Sequence, residues 1–268
     1  MQEPSGIHPD IEAVDVSLTY RSQRGDVVTL AGIQLAIEHG EFVSVVGPSG
    51  CGKSSFLKLV AGLLAPTSGV IRVKGRPVTA PPEGIGMVFQ APVLLQWRRV
   101  LGNIMFPAQI LGRDHARALA TARELIALVG LDGFENRYPF ELSGGMQQRV
   151  ALCRALIHDP FILLMDEPFA ALDAMTRDQM AFELQRISMQ LRTTVVFVTH
   201  SILEAVTLSD RVAVMSYRPG RIVEVYRIDL PRPRDYATMA TPAALEYVNA
   251  IRTHFFGGAG SALAAPAG

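Results

Sequence analysis

Residues Gly47-Pro48-Ser49-Gly50-Cys51-Gly52-Lys53-Ser54 satisfy the spacing G-x-x-x-x-G-K-[ST] at every required position. A loop of this composition is suited to polyphosphate. Gly47, Gly50 and Gly52 let the backbone turn tightly and approach phosphate oxygens without a Cβ clash. Lys53 supplies a point charge for the β and γ phosphates, and the Ser54 hydroxyl is a ligand for Mg²⁺. Pro48, Ser49, Cys51 and the following Ser55 belong to the same binding run, so a nucleotide polyphosphate with Mg²⁺ is expected; the loop alone does not separate kinases and GTPases from transport ATPases, which would take ATP. Cys51 sits beside Lys53 and a helix N-terminus, a setting that favours thiolate and predicts thiol labelling slowed by Mg-ATP, unlike Cys153. An ordinary glycine turn could contain a lysine, but it would not be entered by an apolar strand, Phe42 to Val46, and left by a helical pattern from Ser54.

A second acidic motif narrows the chemistry. Phe161 to Met165 reads as a buried strand ending in Asp166-Glu167. Asp166, at the strand's carboxyl end, is placed to hold Mg²⁺ directly or through water. Glu167 stands one residue nearer the γ-phosphate, where a carboxylate can orient and partly deprotonate an attacking water. Adjacent acids at a strand end are often solvated turn residues; the phosphate loop upstream is what gives this pair a task.

Residues 11 to 46 read as short strands with polar turns, including the alternating Ile33, Leu35 and Ile37. A helix is predicted from Ser54 to about Leu64, broken by Pro66 to Gly69 before a strand over Val70 to Val73. Residues 90 to 156 carry little strand character and several helical stretches, His115 to Val129 the longest, and read as an inserted helical subdomain. Phe161 to Met165 and Thr194 to Val198, separated by a helix over Ala174 to Leu191, imply a parallel sheet. Beyond Pro231, Thr241 can cap a last helix with Pro242 at its first position and Leu245, Val248, Ile251 and Phe255 on one face. Residues 257–268, almost all Gly, Ala and Ser, read as a disordered tail.

Composition limits the partners. The 268 residues are 49% apolar, and 25 Lys and Arg balance 25 Asp and Glu, so no bulk field draws the chain to nucleic acid or anionic lipid. The two cysteines lack metal-ligand spacing, and a chain without a disulfide framework fits a reducing cytosol. The opening Met-Gln-Glu-Pro-Ser-Gly has no basic and apolar signal pattern, and no run approaches the roughly 20 apolar residues of a membrane span. Any membrane role is therefore expected to pass through a partner.

Leu142-Ser-Gly-Gly-Met-Gln-Gln-Arg149 closely resembles the signature motif of ABC ATPases. Its physics is readable locally: Ser143 is a good N-cap, Met146, Val150 and Cys153 share one helix face, and the amides of Ser143, Gly144 and Gly145 form a second anion-binding surface. In that family each ATP lies between the phosphate loop of one copy and the signature of the other. The resemblance runs from residue 11 to about 230. Tyr20 resembles the aromatic residue on which adenine stacks, and a half-buried strand tyrosine is its plainer reading. Gln90 resembles the glutamine that touches the metal and the attacking water. Ala171-Leu172-Asp173 resembles the loop that crosses the dimer interface, and His200 the switch histidine that contacts the γ-phosphate.

The implied fold is an α/β P-loop NTPase core with a mainly parallel sheet, a small antiparallel β-subdomain and an inserted helical subdomain at about 90–156. An ATPase domain over 11–230 would be followed by an extension with a helix over 231–256. Phe89-Gln90 with Leu94-Leu95-Gln96-Trp97, Asp166 to Ala174 with Thr176-Arg177, and Arg218 to Ile222 with Leu230 to Arg234 look like the importer group for nitrate, taurine and aliphatic sulfonates. Members usually have Pro where Gln96 stands and Ser or Gly where Ala170 stands. The first departure, beside Arg98 and Arg99, bears on partner and cargo rather than on hydrolysis. The resemblance implies a homodimer, two transmembrane permease subunits, indirectly a periplasmic or lipid-anchored solute-binding protein, and a cytoplasmic place on the inner membrane face. A soluble ABC clamp of translation or chromosome maintenance is the rival, but such proteins carry two ATPase units or split theirs with coiled coil, and this chain has one unit and no heptad run. A P-loop kinase would leave the signature octet unexplained.

Overall fold

Strands fall into two sheets, and the helix that leaves the phosphate loop lies between them. The computed structural model describes residues 8–21, 25–191 and 193–256; the tail expected at 257–268 lies outside them. The first part of the chain forms β1 (Ile11–Tyr20), β2 (Val27–Ile37), β3 (Phe42–Val46), α1 (Lys53–Val60), β4 (Ser68–Val73), β5 (Arg76–Pro77) and β6 (Ile85–Val88). A helical stretch follows with α2 (Val100–Ile104), α3 (Phe106–Ile110), α4 (His115–Leu128), a 3₁₀ turn at Pro139–Glu141 and α5 (Gly144–Leu156). The chain then forms β7 (Ile162–Asp166), α6 (Ala174–Leu191), β8 (Thr194–Thr199), α7 (Ile202–Leu208), β9 (Arg211–Met215), β10 (Ile222–Arg227), α8 (Tyr236–Met239) and α9 (Pro242–Phe256).

The smaller sheet is antiparallel in the order β2-β1-β4-β5, and the larger has the order β10-β9-β3-β8-β7-β6. In the larger sheet only the edge pair β10–β9 is antiparallel; the other neighbours run parallel. This is the expected α/β architecture. Parallel strands covered on both faces must be apolar on both, and β3 and β8 are buried at every residue. Their alternation feeds separate cores. Leu163, Met165 and Phe197 face the helices α2 to α6, while Ile162, Leu164, Val196 and Val198 face α1 and the antiparallel sheet. Phe56, Leu57 and Val60 of α1 are fully buried there, each contributing about 1.5–3 kcal/mol of apolar transfer. That burial fixes α1, and with it the phosphate loop.

Several elements differ from the sequence reading. β1 and β2 are 10 and 11 residues long, not short, because irregularities in their register let one hairpin continue past its bends. α1 begins at Lys53 and its regular turns end at Val60. In α9, Thr241 does cap the helix, accepting from Ala244 N at 3.3 Å. Leu245, however, is 50% exposed, and Ala244 takes its place on the buried face with Val248 and Ile251. Among the described residues no helix is long and apolar enough to cross a membrane.

Besides the packing of α9, a buried arginine ties down the segment after Pro231. Arg234 is 2% exposed, and its guanidinium donates to the carbonyls of Val206 (2.6 Å), Thr207 (3.4 Å), Ser209 (2.7 Å), Ile228 (3.0 Å) and Leu230 (3.1 Å). It thereby satisfies the carbonyls at the end of α7, which no further helical turn could satisfy. Replacing Arg234 by Met is expected to cost about 3 kcal/mol, since buried acceptors lose charged donors. In a chain of this size that lowers the thermal midpoint by roughly 6–12 °C. Lys should recover only part of the loss, because an ammonium cannot fan across five carbonyls. An unchanged midpoint in Arg234→Met would show that the extension is held by α9 packing alone.

Candidate functional site

Because β3, β8 and β7 are parallel neighbours, their carboxyl ends share one edge of the sheet. Three segments far apart in sequence therefore meet there: the loop after Val46, the pair Asp166-Glu167 and His200. This is the edge at which open α/β sheets bind ligands.

The loop is shaped by glycine where nothing else fits. Gly52 has φ +111°, and a Cβ there would lie 2.6 Å from Leu30 Cδ2. Lys53 is 4% exposed, and its Nζ donates to the carbonyls of Gly47 (2.8 Å) and Pro48 (3.0 Å), which places the ammonium inside the loop. The same Nζ is 3.6 Å from Glu167 Oε1. Glu167 has φ +44°, a conformation that costs a non-glycine residue of order 1 kcal/mol and is concentrated at functional sites. Its N–H donates to Val198 O at 2.9 Å, which fixes the turn from β8's side. Its Oε2 lies 3.0 Å from His200 Nδ1. One carboxylate thus spans the buried lysine and the half-exposed histidine.

Ser54 Oγ donates to Asp166 Oδ1 at 2.8 Å. Burial raises the Asp166 carboxyl pKa above its ordinary value; the Ser54 hydrogen bond opposes this and neighbouring Glu167 adds to it. A hydroxyl and a carboxylate side by side are the hard oxygen donors that suit Mg²⁺. No group of three or more His, Cys, Asp or Glu among the described residues could hold a metal by itself. The Ser54–Asp166 pair fits a nucleotide-borne Mg²⁺, which takes one or two protein oxygens and completes its shell with phosphate and water.

The other expected residues divide between this edge and a second surface. Tyr20 ends β1, is 42% exposed, and its hydroxyl lies 3.3 Å from Ser55 Oγ of α1, so the ring stands beside the loop. Gln90 follows β6, the strand next to β7, and is exposed. Ser143 caps α5, accepting from Met146 N at 3.3 Å, and is exposed with Gly144. Gly145 is instead buried, since a Cβ there would come within 2.8 Å of Thr176 Cγ2. Asp173 caps α6 through Thr176 N (3.0 Å) and its hydroxyl (2.7 Å), and these bonds hold its carboxyl below the ordinary range. Gly145 therefore packs against the first turn of α6, while Ser143, Gly144 and Asp173 are exposed.

A family profile described as ABC transporter matches residues 30–170. This chain belongs to that family. The ABC ATPase is 51% identical over 209 residues to an uncharacterized ABC transporter ATP-binding protein of Methanocaldococcus jannaschii, covering 78% of each chain. It is 46% identical over 220 residues to an aliphatic sulfonates import ATP-binding protein of Bacillus cereus, covering 82% of this chain and 86% of that one. Among solved structures it resembles a dimeric ATP-binding cassette in a post-hydrolysis state bound to ADP and Pi. The TM-score is 0.72 at 31% identity, over 81% of this chain and 98% of the other.

One expectation for this ABC ATPase is overturned. Cys51 is fully buried, with its Sγ only 2.9 Å from where a Gly47 Cβ would stand. Burial raises the thiol pKa and outweighs the opposing pull of Lys53, so Cys51 is a packed thiol, not a reactive thiolate. Cys153 is likewise buried, its pKa pushed up to about 12. Sequence reasoning also missed Arg218, whose Nε donates to Gly50 O at 2.7 Å. The loop carrying it is pinned by Gly220, which pairs with Thr29 O (2.8 Å) and Ala31 N (3.0 Å) of β2. Pro219-Gly220 between two arginines marks a turn in the sequence, but its place over the phosphate loop depends on β9 lying beside β3.

Proposed function

We propose that this ABC ATPase is the hydrolytic subunit of an importer for a small anion of the sulfonate, taurine or nitrate kind, acting as a homodimer on the cytoplasmic face of a membrane. The convergence of Lys53, Ser54, Asp166, Glu167 and His200 supports the hydrolytic part of the reading. Lys53 and the loop amides would receive the β and γ phosphates of ATP, with the Tyr20 ring beside adenine. Ser54 and Asp166, with Gln90 from the neighbouring strand, would hold Mg²⁺, which supplies neutralising charge to the phosphates. Glu167 orients the attacking water and accepts its proton, and His200 keeps that carboxylate aimed while facing the γ-phosphate. Ser143, Gly144 and Gly145 with Asp173 would complete the site of a second copy.

The importer part rests on the sulfonate relative and on the surface after Gln90. Val93 (62% exposed) and Trp97 (75% exposed) stand out there beside Phe89. Val93 has φ +45°, a strained state for a β-branched residue. Two transmembrane permease subunits would seat on this surface, with a solute-binding protein delivering cargo to them. Co-reconstitution in liposomes with the permease and binding protein encoded beside it should yield ATP-driven uptake of an alkanesulfonate, taurine or nitrate. Val93→Ser with Trp97→Ser should reduce uptake at least tenfold while ATPase activity of the isolated protein stays within about twofold, the loss being of a buried apolar anchor. Full uptake by that double variant would remove this surface from the permease interface. Uptake of none of the three anions would defeat the cargo assignment.

A further inference from the structure

Beside the Glu167–His200 pair lies a buried acid that the proposed chemistry does not use. Glu204, in the first turn of α7, is 9% exposed. Its Oε2 accepts from the Thr199 hydroxyl at 2.6 Å. That same hydroxyl accepts the Ser201 N–H at 3.0 Å. Thr199 thus reaches over His200 and joins the residues on either side of it, with its donor proton committed to Glu204.

On its other side, Glu204 Oε1 faces Arg177 Nε at 3.7 Å. This is an ion-pair separation longer than a hydrogen bond, and Arg177 Nε has no hydrogen-bond partner. The guanidinium's Nη2 donates to Leu172 O at 3.0 Å, inside the Ala171–Asp173 loop. The loop returns to Glu167 through short backbone bonds, Leu172 N to Phe169 O (3.1 Å) and Ala170 N to Glu167 O (3.1 Å). The contacts therefore close a ring: Glu167, His200, Thr199, Glu204, Arg177, Leu172 and back to Glu167.

An acid in the first turn of a helix has a plain use as partner of the helix dipole. That use does not require burial against an arginine from another helix, and burial raises the Glu204 carboxyl pKa, against Thr199 and Arg177 which lower it. We propose that Arg177 and Glu204 are positioning residues that tie the Ala171–Asp173 loop to the backbone of His200, so that the seating of this loop sets the His200–Glu167 contact. The proposal rests on the assignment of Glu167 and His200 to hydrolysis. The link lies a few tenths of an ångström short of a hydrogen bond, so a small movement of the loop tightens or releases it.

The test compares Glu204→Gln, Arg177→Met, their double variant and His200→Ala in the full-length protein. Steady-state ATP hydrolysis, affinity for a fluorescent ATP analogue and the thermal midpoint are measured on each. Glu204→Gln keeps an acceptor for Thr199 but loses the charge pair; Arg177→Met keeps the side-chain volume. Each should lower kcat about 10- to 100-fold, as expected for a slightly misplaced reacting group, with KM and analogue affinity within about threefold. The double variant should be no slower than the slower single, and neither substitution should slow His200→Ala further. Wild-type kcat in both singles, multiplied losses in the double, or losses that follow KM and the thermal midpoint would overturn the link. Near-normal turnover by His200→Ala would overturn the underlying site assignment and the link with it, whereas a slow His200→Ala beside fully active Arg177→Met and Glu204→Gln would remove the link alone.

Discussion

Glu167→Gln is expected to lower steady-state ATP turnover by about 10²- to 10⁴-fold, as for loss of a general base, while ATP affinity stays within a few fold. Gln retains the volume and one oxygen acceptor at a position where the backbone is already held at φ +44° and bonded to Val198, so the site should not collapse. What is lost is the charge between Lys53 Nζ at 3.6 Å and His200 Nδ1 at 3.0 Å, and with it the group able to accept a proton. Lys53→Ala should differ in kind. It removes the buried ammonium that spans the loop carbonyls of Gly47 and Pro48, so nucleotide binding itself weakens. Titration with a fluorescent ATP analogue and single-turnover hydrolysis separate the two cases. Near-normal turnover by Glu167→Gln, with contaminating ATPase excluded, would falsify the role given to this carboxylate.

The meeting of Lys53, Ser54, Asp166, Glu167 and His200 at one sheet edge was legible in sequence because its parts are local. Lys53 and Ser54 follow from loop spacing, Asp166-Glu167 from its place at the end of a short apolar run, and His200 from the family resemblance together with its place after Thr194 to Val198; parallel pairing of those runs then brings them together. Features that depend on long-range packing were not legible. Cys51 has the local electrostatics of a thiolate, yet it is fully buried in one core with Met215, and its Sγ and the Met215 Cβ both crowd the Gly47 Cβ position, so desolvation wins. β9 and β10 are five- and six-residue strands in a stretch assigned no regular structure, and without β9 beside β3 nothing places Arg218 against Gly50. Glu204 looks like any acid at the start of a helix; only the approach of α6 to α7 shows that it is buried against Arg177. Leu245 failed for the opposite reason: its spacing suited a buried stripe, but α9 packs on α7 with Val248 and Ile251 in the shared core and Ala244, not Leu245, buried.

The second large effect concerns assembly. Ser143, Gly144 and Asp173 are exposed, and Gly145 packs against Thr176 of α6. On the proposed function, the exposed helix start at Ser143 receives the phosphate held by a second copy, turned so that each loop meets the other's α5. With ATP, Glu167→Gln protein should therefore sediment as a dimer, because nucleotide stays bound and is not consumed. Without nucleotide it should be largely monomeric. Adding Ser143→Arg should abolish the ATP-dependent dimer, since a long charged side chain would have to be buried where the facing phosphate belongs. The cap bond from Ser143 to Met146 N is worth only about 1 kcal/mol, so this variant should fold and still bind ATP as a monomer; equilibrium sedimentation with nucleotide titration checks both. Mixing Ser143→Arg with Lys53→Ala, in chains retaining Glu167, puts both lesions at one shared site and leaves the other intact. Recovered hydrolysis would demonstrate the composite site directly, whereas a Glu167→Gln protein that stays monomeric with ATP, even beside its permease, would show that each copy binds and hydrolyses alone.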